Sequence, residues 1–169
     1  MFETFFPDEY VDSTYVIPFE ELYEKGYRGV IFDIDNTLVP HGAPADDRAV
    51  RFFERLEKIG FSSCLLSNNR EARVRMFNRE IGTNYIYNAH KPSVKNYLRA
   101  MEIMGTDRDT TLFVGDQLFT DVWGARKSGL YSILVKPINP KEEIQIVLKR
   151  YLEKIVLYFY RKSTDRGRR

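Results

Sequence analysis

The sequence predicts an α/β fold built on a parallel sheet. Three observations predict it. Short apolar segments, bounded by Gly, Asn, Asp or Pro, recur along the chain in the manner of buried strands. Helical patterns separate them, which implies crossover connections and parallel strands. The 169 residues, 43% hydrophobic and 30% charged, supply enough apolar material for one sizeable core.

Five strands are expected, at Gly29–Ile34, Phe61–Ser67, Tyr85–Tyr87, Thr111–Gly115 and Tyr131–Val135. A short helix precedes the first, from Pro18 to a stop at Gly26. The next has Asp46 as N-cap, a stripe of Val50, Phe53, Leu56 and Ile59, and Gly60 as its stop. A third carries Val74, Phe77 and Ile81 and ends at Gly82. A fourth opens with Pro92 in its first turn and runs through Tyr97, Met101 and Met104 to Gly105. A short one spans about Asp121 to Ser128, closed by Gly129. The expected domain is single, residues 1–169, with a core of about 27–137 and a C-terminal amphipathic helix and basic tail of about 140–169.

In such sheets the binding crevice lies at the carboxyl ends of the strands. The first strand ends in Asp33-Ile34-Asp35-Asn36-Thr37, where two carboxylates one residue apart close an apolar run. The second ends in Ser67-Asn68-Asn69, the third is followed by His90-Lys91-Pro92, and the fourth ends in Gly115-Asp116 with Asp121 beyond. Carboxylates converging on one point repel each other, and a hard cation relieves this; Mg²⁺ suits oxygen ligands and a phosphate. An aspartate can attack phosphorus and form an aspartyl-phosphate, and a second carboxyl can serve as general acid and base. Lys91 and Ser67 can hold phosphate oxygens.

DIDNT, SNN, KP and GDQLFTD, in that order, resemble the four motifs of the haloacid dehalogenase (HAD) superfamily of phosphatases. The resemblance spans about 30–135 and implies a three-layer, Rossmann-like sandwich. It makes Asp33 the nucleophile and Asp35 the acid/base. It gives phosphate binding to Ser67, Asn68 and Lys91. It puts the metal on Asp33, the backbone carbonyl of Asp35 and Asp116, with Asp121 behind them and Thr37 ordering the loop. The opening FFPDEYVDS, together with HKP, GDQLFTDVWGARKSGL and ILVKP, is similar to the YqeG-type phosphatases of HAD subclass III A. These are related to mitochondrial phosphatidylglycerophosphate phosphatases. Only 31 residues separate Asp35 from Ser67 and 23 separate Ser67 from Lys91, too few for an inserted cap domain. An open site suits a bulky or tethered substrate, such as a lipid, protein or nucleic acid, or a small substrate if a partner subunit acts as the lid.

Net charge is only +2, but residues 149–169 hold eight Lys/Arg against two Asp/Glu. The helical spacing of Ile144, Val147, Leu148, Tyr151, Leu152, Ile155, Tyr158 and Phe159, with Lys149, Arg150, Lys154, Arg161, Lys162 and Arg166 around it, predicts a helix covering the sheet. The same pattern fits contact with an anionic membrane surface. The alternative is an RNA-, ribosome- or protein-binding module using the basic C-terminus, although a pure binder has no need of Asp35. The lone Cys64, within FSSCLL, is expected to be a buried inert thiol and cannot form an internal disulfide. With no signal-like start and no run of about 18 apolar residues, a cytoplasmic protein without a transmembrane helix is expected. His41 is a candidate for the crevice mouth, His90 for the surface, and Trp123 for packing.

Overall fold

The computed structural model describes residues 2–139 and 144–166; of residues 144–148 and 166 only the backbone is described. The order of elements is β1 (Glu9–Val11), α1 (Phe19–Glu24), β2 (Gly29–Phe32), α2 (Asp47–Ile59), β3 (Ser62–Leu66), α3 (Glu71–Asn78), β4 (Asn84–Ile86), α4 (Val94–Met104), β5 (Thr111–Gly115), α5 (Trp123–Lys127), β6 (Tyr131–Val135) and α6 (Ile144–Arg166). Helical turns of 3-10 type cover Glu3–Phe5 and Thr14–Val16, and one π-type turn covers Leu118–Val122.

The strands form one sheet in the order β1-β6-β5-β2-β3-β4, and every pair is parallel. The sheet therefore has six strands rather than the expected five. The added strand, β1, pairs Glu9 with Ile133 and Val11 with Val135. Its sequence, EYV between two aspartates, has no apolar run. It is fixed from outside: the Asp8 carboxylate accepts from the Ser132 amide at 2.7 Å and its hydroxyl at 2.9 Å.

Period-two alternation splits the core into two layers. Val30, Phe32, Leu65, Leu112 and Val114 face one side, where Phe19, Leu22, Phe52, Phe53, Leu56, Val74 and Phe77 of α1, α2 and α3 cover them. Ile31, Cys64, Leu66 and Phe113 face the other, under Tyr97, Ala100 and Met101 of α4 and Ala125 of α5. Phe32 sits in a ring cluster, 5.6 Å from Phe52 and 5.4 Å from Phe53, in edge-to-face geometry. A third cluster joins Leu118, Val122 and Leu134 to Val156 of α6, with Phe2, Phe5 and Phe6 of the amino-terminal segment packed against it. Cys64 is fully buried, and burial pushes its thiol up to about 12. It is an inert core thiol, as expected.

Helix α2 begins and ends as its sequence says: Asp46 accepts from the Ala49 amide at 2.8 Å, and Gly60 takes a left-handed φ of 113°. Two boundaries differ. Helix α3 stops at Asn78, because the amides of Ile81 and Gly82 both turn back to the Asn78 carbonyl. Ile81 therefore packs from a turn. Pro92 lies before α4 rather than in its first turn; Ser93 is the N-cap, and its amide is bonded to the His90 carbonyl. The segment 36–61 holds α2 alone, and 67–91 holds α3 and β4. Among the described residues no helix is long and apolar enough to cross a membrane.

Candidate active site

The site is built where β2 and β5 end. The Asp33 amide still bonds to Val114, so this carboxylate leaves the sheet in register with the end of β5. The chain then reverses. Leu38 and Thr37 amides return to the Ile34 carbonyl, and Asn36 takes a φ of 62°, a conformation Asn tolerates. The reversal places the Thr37 hydroxyl 3.1 Å from Asp33 Oδ2 and 3.3 Å from Asp116 Oδ1. Thr37 thus bridges two carboxylates.

Asp116 follows β5 directly. Asp121 comes back from the π-type turn, its Oδ2 accepting from the Asp116 and Gln117 amides at 3.2 and 3.1 Å. Gly115 makes room for it, since a Cβ there would lie 2.5 Å from Asp121 Oδ2. Lys91 enters from the loop after β4. Its Nζ lies 2.7 Å from Asp33 Oδ1 and 2.7 Å from Asp121 Oδ1, with its side chain only 3% exposed. It is therefore no solvated loop lysine. Asn68 sets its position: Oδ1 accepts from the Lys91 amide at 2.7 Å and Nδ2 donates to the Lys91 carbonyl at 3.1 Å. The Asn68 side chain is thus spent on holding Lys91, rather than free for phosphate. Ser67 is buried, with its hydroxyl oxygen accepting from the Asn69 amide at 3.1 Å.

Asp35, two residues after Asp33, is aimed elsewhere. Its Oδ1 accepts from Arg73 Nη2 at 2.9 Å and from the Gly42 amide at 2.7 Å, and its Oδ2 accepts from Asn69 Nδ2 at 2.7 Å. Arg73 keeps Nη1 buried with no hydrogen-bond partner. The three carboxylates that converge are Asp33, Asp116 and Asp121, each offering an oxygen within 4.8 Å of the others. Asp121, expected behind the metal, stands in the cluster itself. The Asp35 carboxylate stands beside it. All of Asp33, Asp35, Ser67, Asn68, Lys91 and Asp121 line one cleft of about 250 Å³, with His41 and Lys149 at its wall. His41 thus meets its expectation, and His90 is exposed.

Two residues that sequence reasoning passed over reach this site from α6. Arg150 pairs with Asp116, donating to its carbonyl at 2.6 Å and to Oδ2, and with Glu153 at 3.0 Å. Among the described residues the set then counts four carboxylates (Asp33, Asp116, Asp121, Glu153) against Lys91 and Arg150, a formal charge of −2 with every group ionised. Burial, with Lys91 opposing and Asp121 and Asp35 adding, pushes the Asp33 carboxyl up to about 6. Burial, then Asp33 and Asp121, hold Asp116 well above the usual carboxylate range despite Arg150. Oxygen-only donors whose ionised forms repel one another, as these raised carboxyls show, fit a hard divalent cation such as Mg²⁺.

The comparisons agree with this architecture. A family profile described as HAD-hydrolase-like matches residues 88–138. The "Probable phosphatase YqeG" of Bacillus subtilis is 36% identical over 154 residues, 90% of each chain. The chain is a HAD-superfamily phosphatase of the YqeG type. A more distant relative of this HAD phosphatase is phosphatidylglycerophosphate phosphatase 1, chloroplastic/mitochondrial, of Arabidopsis thaliana. It is 27% identical over 158 residues, 82% of this chain and 45% of that one. Among solved structures, the 3-deoxy-D-manno-octulosonate 8-phosphate phosphatase of Moraxella catarrhalis, determined with magnesium, phosphate and KDO, shares the fold. Its TM-score is 0.54 at 15% identity, over 71% of this chain and 75% of that one.

Proposed function

We propose that this HAD phosphatase is a Mg²⁺-dependent phosphomonoesterase that works through an aspartyl-phosphate on Asp33 and acts on a phosphorylated glycerolipid. The observation that carries the chemistry is the placement of Asp33. One oxygen is held by Lys91 at 2.7 Å and the other by Thr37 at 3.1 Å, in a buried carboxylate trio at the end of β2.

An Asp33 oxygen attacks phosphorus, and the bond from phosphorus to the leaving oxygen breaks. The Asp35 carboxyl gives that oxygen its proton, releasing the alcohol. Asp35, now a carboxylate, takes a proton from water, whose oxygen attacks the phosphorus of the acyl-phosphate. Inorganic phosphate leaves and Asp33 is restored. Lys91 and the Ser67 hydroxyl meet the phosphate oxygens, while Arg73 and Asn69 keep Asp35 at the cleft wall. Asp33, Asp116 and Asp121 would hold the metal, which when bound supplies positive charge to the transferring phosphoryl group.

Three features support the lipid assignment: the kinship to a phosphatidylglycerophosphate phosphatase, a cleft walled without an inserted domain, and the outer face of α6. Tyr151 is 66% exposed and Tyr158 61%, flanked by exposed Leu152, Ile155 and Phe159. Lys154, Arg161 and Lys162 are exposed beside them. Aromatic side chains and cations on one outer face suit an anionic lipid surface. The exposed aliphatic Leu152 and Ile155 suit acyl chains rather than phosphates or bases.

The test is phosphate release by the purified chain with Mg²⁺, from phosphatidylglycerophosphate in mixed micelles and from a panel of soluble phosphomonoesters. EDTA is the control. Metal-dependent hydrolysis with the lipid preferred by at least tenfold in kcat/KM is expected. Equal or better turnover of soluble esters would remove the lipid assignment and leave the phosphatase.

A further inference from the structure

Helix α6 does more than cover the sheet. A covering helix needs only apolar contacts, such as those of Val156 and Leu157 with Leu118 and Leu134. Burying ions instead costs several kcal/mol per ion unless every partner is met. Here α6 sets a buried Glu153 and a mostly covered Arg150 one turn apart and spends both on the loop after β5. Arg150 Nη1 donates to the Asp116 carbonyl at 2.6 Å, and Nη2 donates to Asp116 Oδ2. Glu153, 5% exposed, accepts from Arg150 through Oε2 at 3.0 Å and from the Leu118 amide through Oε1 at 3.0 Å. The contacts close a ring, Asp116–Arg150–Glu153–Leu118, around the turn that carries Asp116.

The two oxygens of Asp116 are thereby divided. Oδ2 is held by Arg150, while Oδ1 stays on the Asp33 side, 3.3 Å from the Thr37 hydroxyl. A guanidinium that merely stood in for a cation would be loosely seated and displaceable. This one is fixed at three points among the described residues, and its partner Glu153 is fixed in turn by a backbone amide. A fork of this kind sets direction as well as charge.

We infer that Arg150, braced by Glu153, is a positioning residue: it holds Asp116 with Oδ1 toward the metal, so that α6 completes the active site. The inference rests on the reading of Asp116 as a metal ligand. It also ties the helix whose outer face is offered to lipid directly to the catalytic loop.

The experiment titrates Mg²⁺ calorimetrically into the full chain and into R150M, R150K and E153Q, and measures kcat and KM on a soluble phosphomonoester. Circular dichroism monitors folding. R150M is expected to lose tenfold or more in Mg²⁺ affinity and at least tenfold in kcat, with KM at saturating Mg²⁺ within twofold. R150K, which restores charge but not the fork, recovers only part of both. E153Q keeps an acceptor for Leu118 but loses the charge that braces Arg150, and falls between wild type and R150M. If R150M does not fold, R150K and E153Q decide: wild-type affinity in both overturns the inference. So does Mg²⁺ binding by R150M as tight as, or tighter than, wild type, which would make Arg150 a competitor of the metal. A wild-type chain that binds no Mg²⁺ overturns the metal reading itself, and this inference with it.

Discussion

Asp33→Asn is expected to lose turnover by roughly 10⁴-fold or more, as removal of a covalent nucleophile does. Fold and substrate binding should survive. The amide is the same size, its oxygen can still accept from Lys91, its NH2 group can donate to the Thr37 hydroxyl, and it takes one formal negative charge out of a set with more carboxylates than cations. Lys91 keeps its second partner, Asp121, at 2.7 Å. The melting temperature of the variant in EDTA should therefore equal or exceed that of the wild type. Phosphate release and thermal melting, measured on the same preparation, check both halves. Turnover within tenfold of wild type would remove Asp33 from the chemistry.

Lys91→Met is expected to damage stability and turnover together. Its ammonium lies between Asp33 and Asp121 with 3% of its side chain exposed. Burial disfavours its charge, but Asp121 and Asp33 outweigh that and hold its pKa above the ordinary lysine value. Methionine fills the space and leaves two buried carboxylates without their cation. Breaking a buried pair by removing one partner costs about 3–5 kcal/mol. Urea unfolding in EDTA should show a loss of that order. Added Mg²⁺ should restore part of it, because a ligand that binds only the folded state stabilises it. Turnover should fall roughly 10²–10³-fold, the scale for losing one preorganised charge at a transferring oxyanion. Unchanged unfolding in EDTA would mean that the lysine is not seated in the carboxylate set.

Much of this site is legible in the chain because its leading carboxylates follow apolar runs at strand ends. Asp33 follows Val30-Ile31-Phe32, and Asp116 follows Leu112 to Gly115. Buried strands announce themselves by composition, and topology puts their ends together. The rest depends on contacts between segments far apart in sequence. β1 is a strand only because β6 and Ser132 receive it. Asn68 has the composition of a turn residue, and only the fold shows that it clamps Lys91, 23 residues away. Asp35 and Asp33 have equal standing in the motif, yet Arg73 and Asn69 draw one of them out of the carboxylate cluster. Arg150 and Glu153 lie within a basic amphipathic stretch, where charge reads as a solvated face. The available signal was their spacing of three. It places them on one helix face, together with Val156 and Leu157, rather than on the exposed face of Tyr151 and Tyr158.

The division of labour between the two aspartates is tested most directly by Asp35→Asn with 4-nitrophenyl phosphate, an ester whose leaving group needs no general acid. Attack by Asp33 should then proceed, while hydrolysis of the acyl-phosphate, deprived of its base, slows by roughly 10²–10⁴-fold. Rapid mixing with Mg²⁺ should show a burst of one nitrophenolate per chain. The quenched protein should carry a hydroxylamine-labile phosphate on the peptide that contains Asp33. A variant that turns over without a burst, with no phosphate on that peptide while the wild type is active, would contradict covalent catalysis by Asp33.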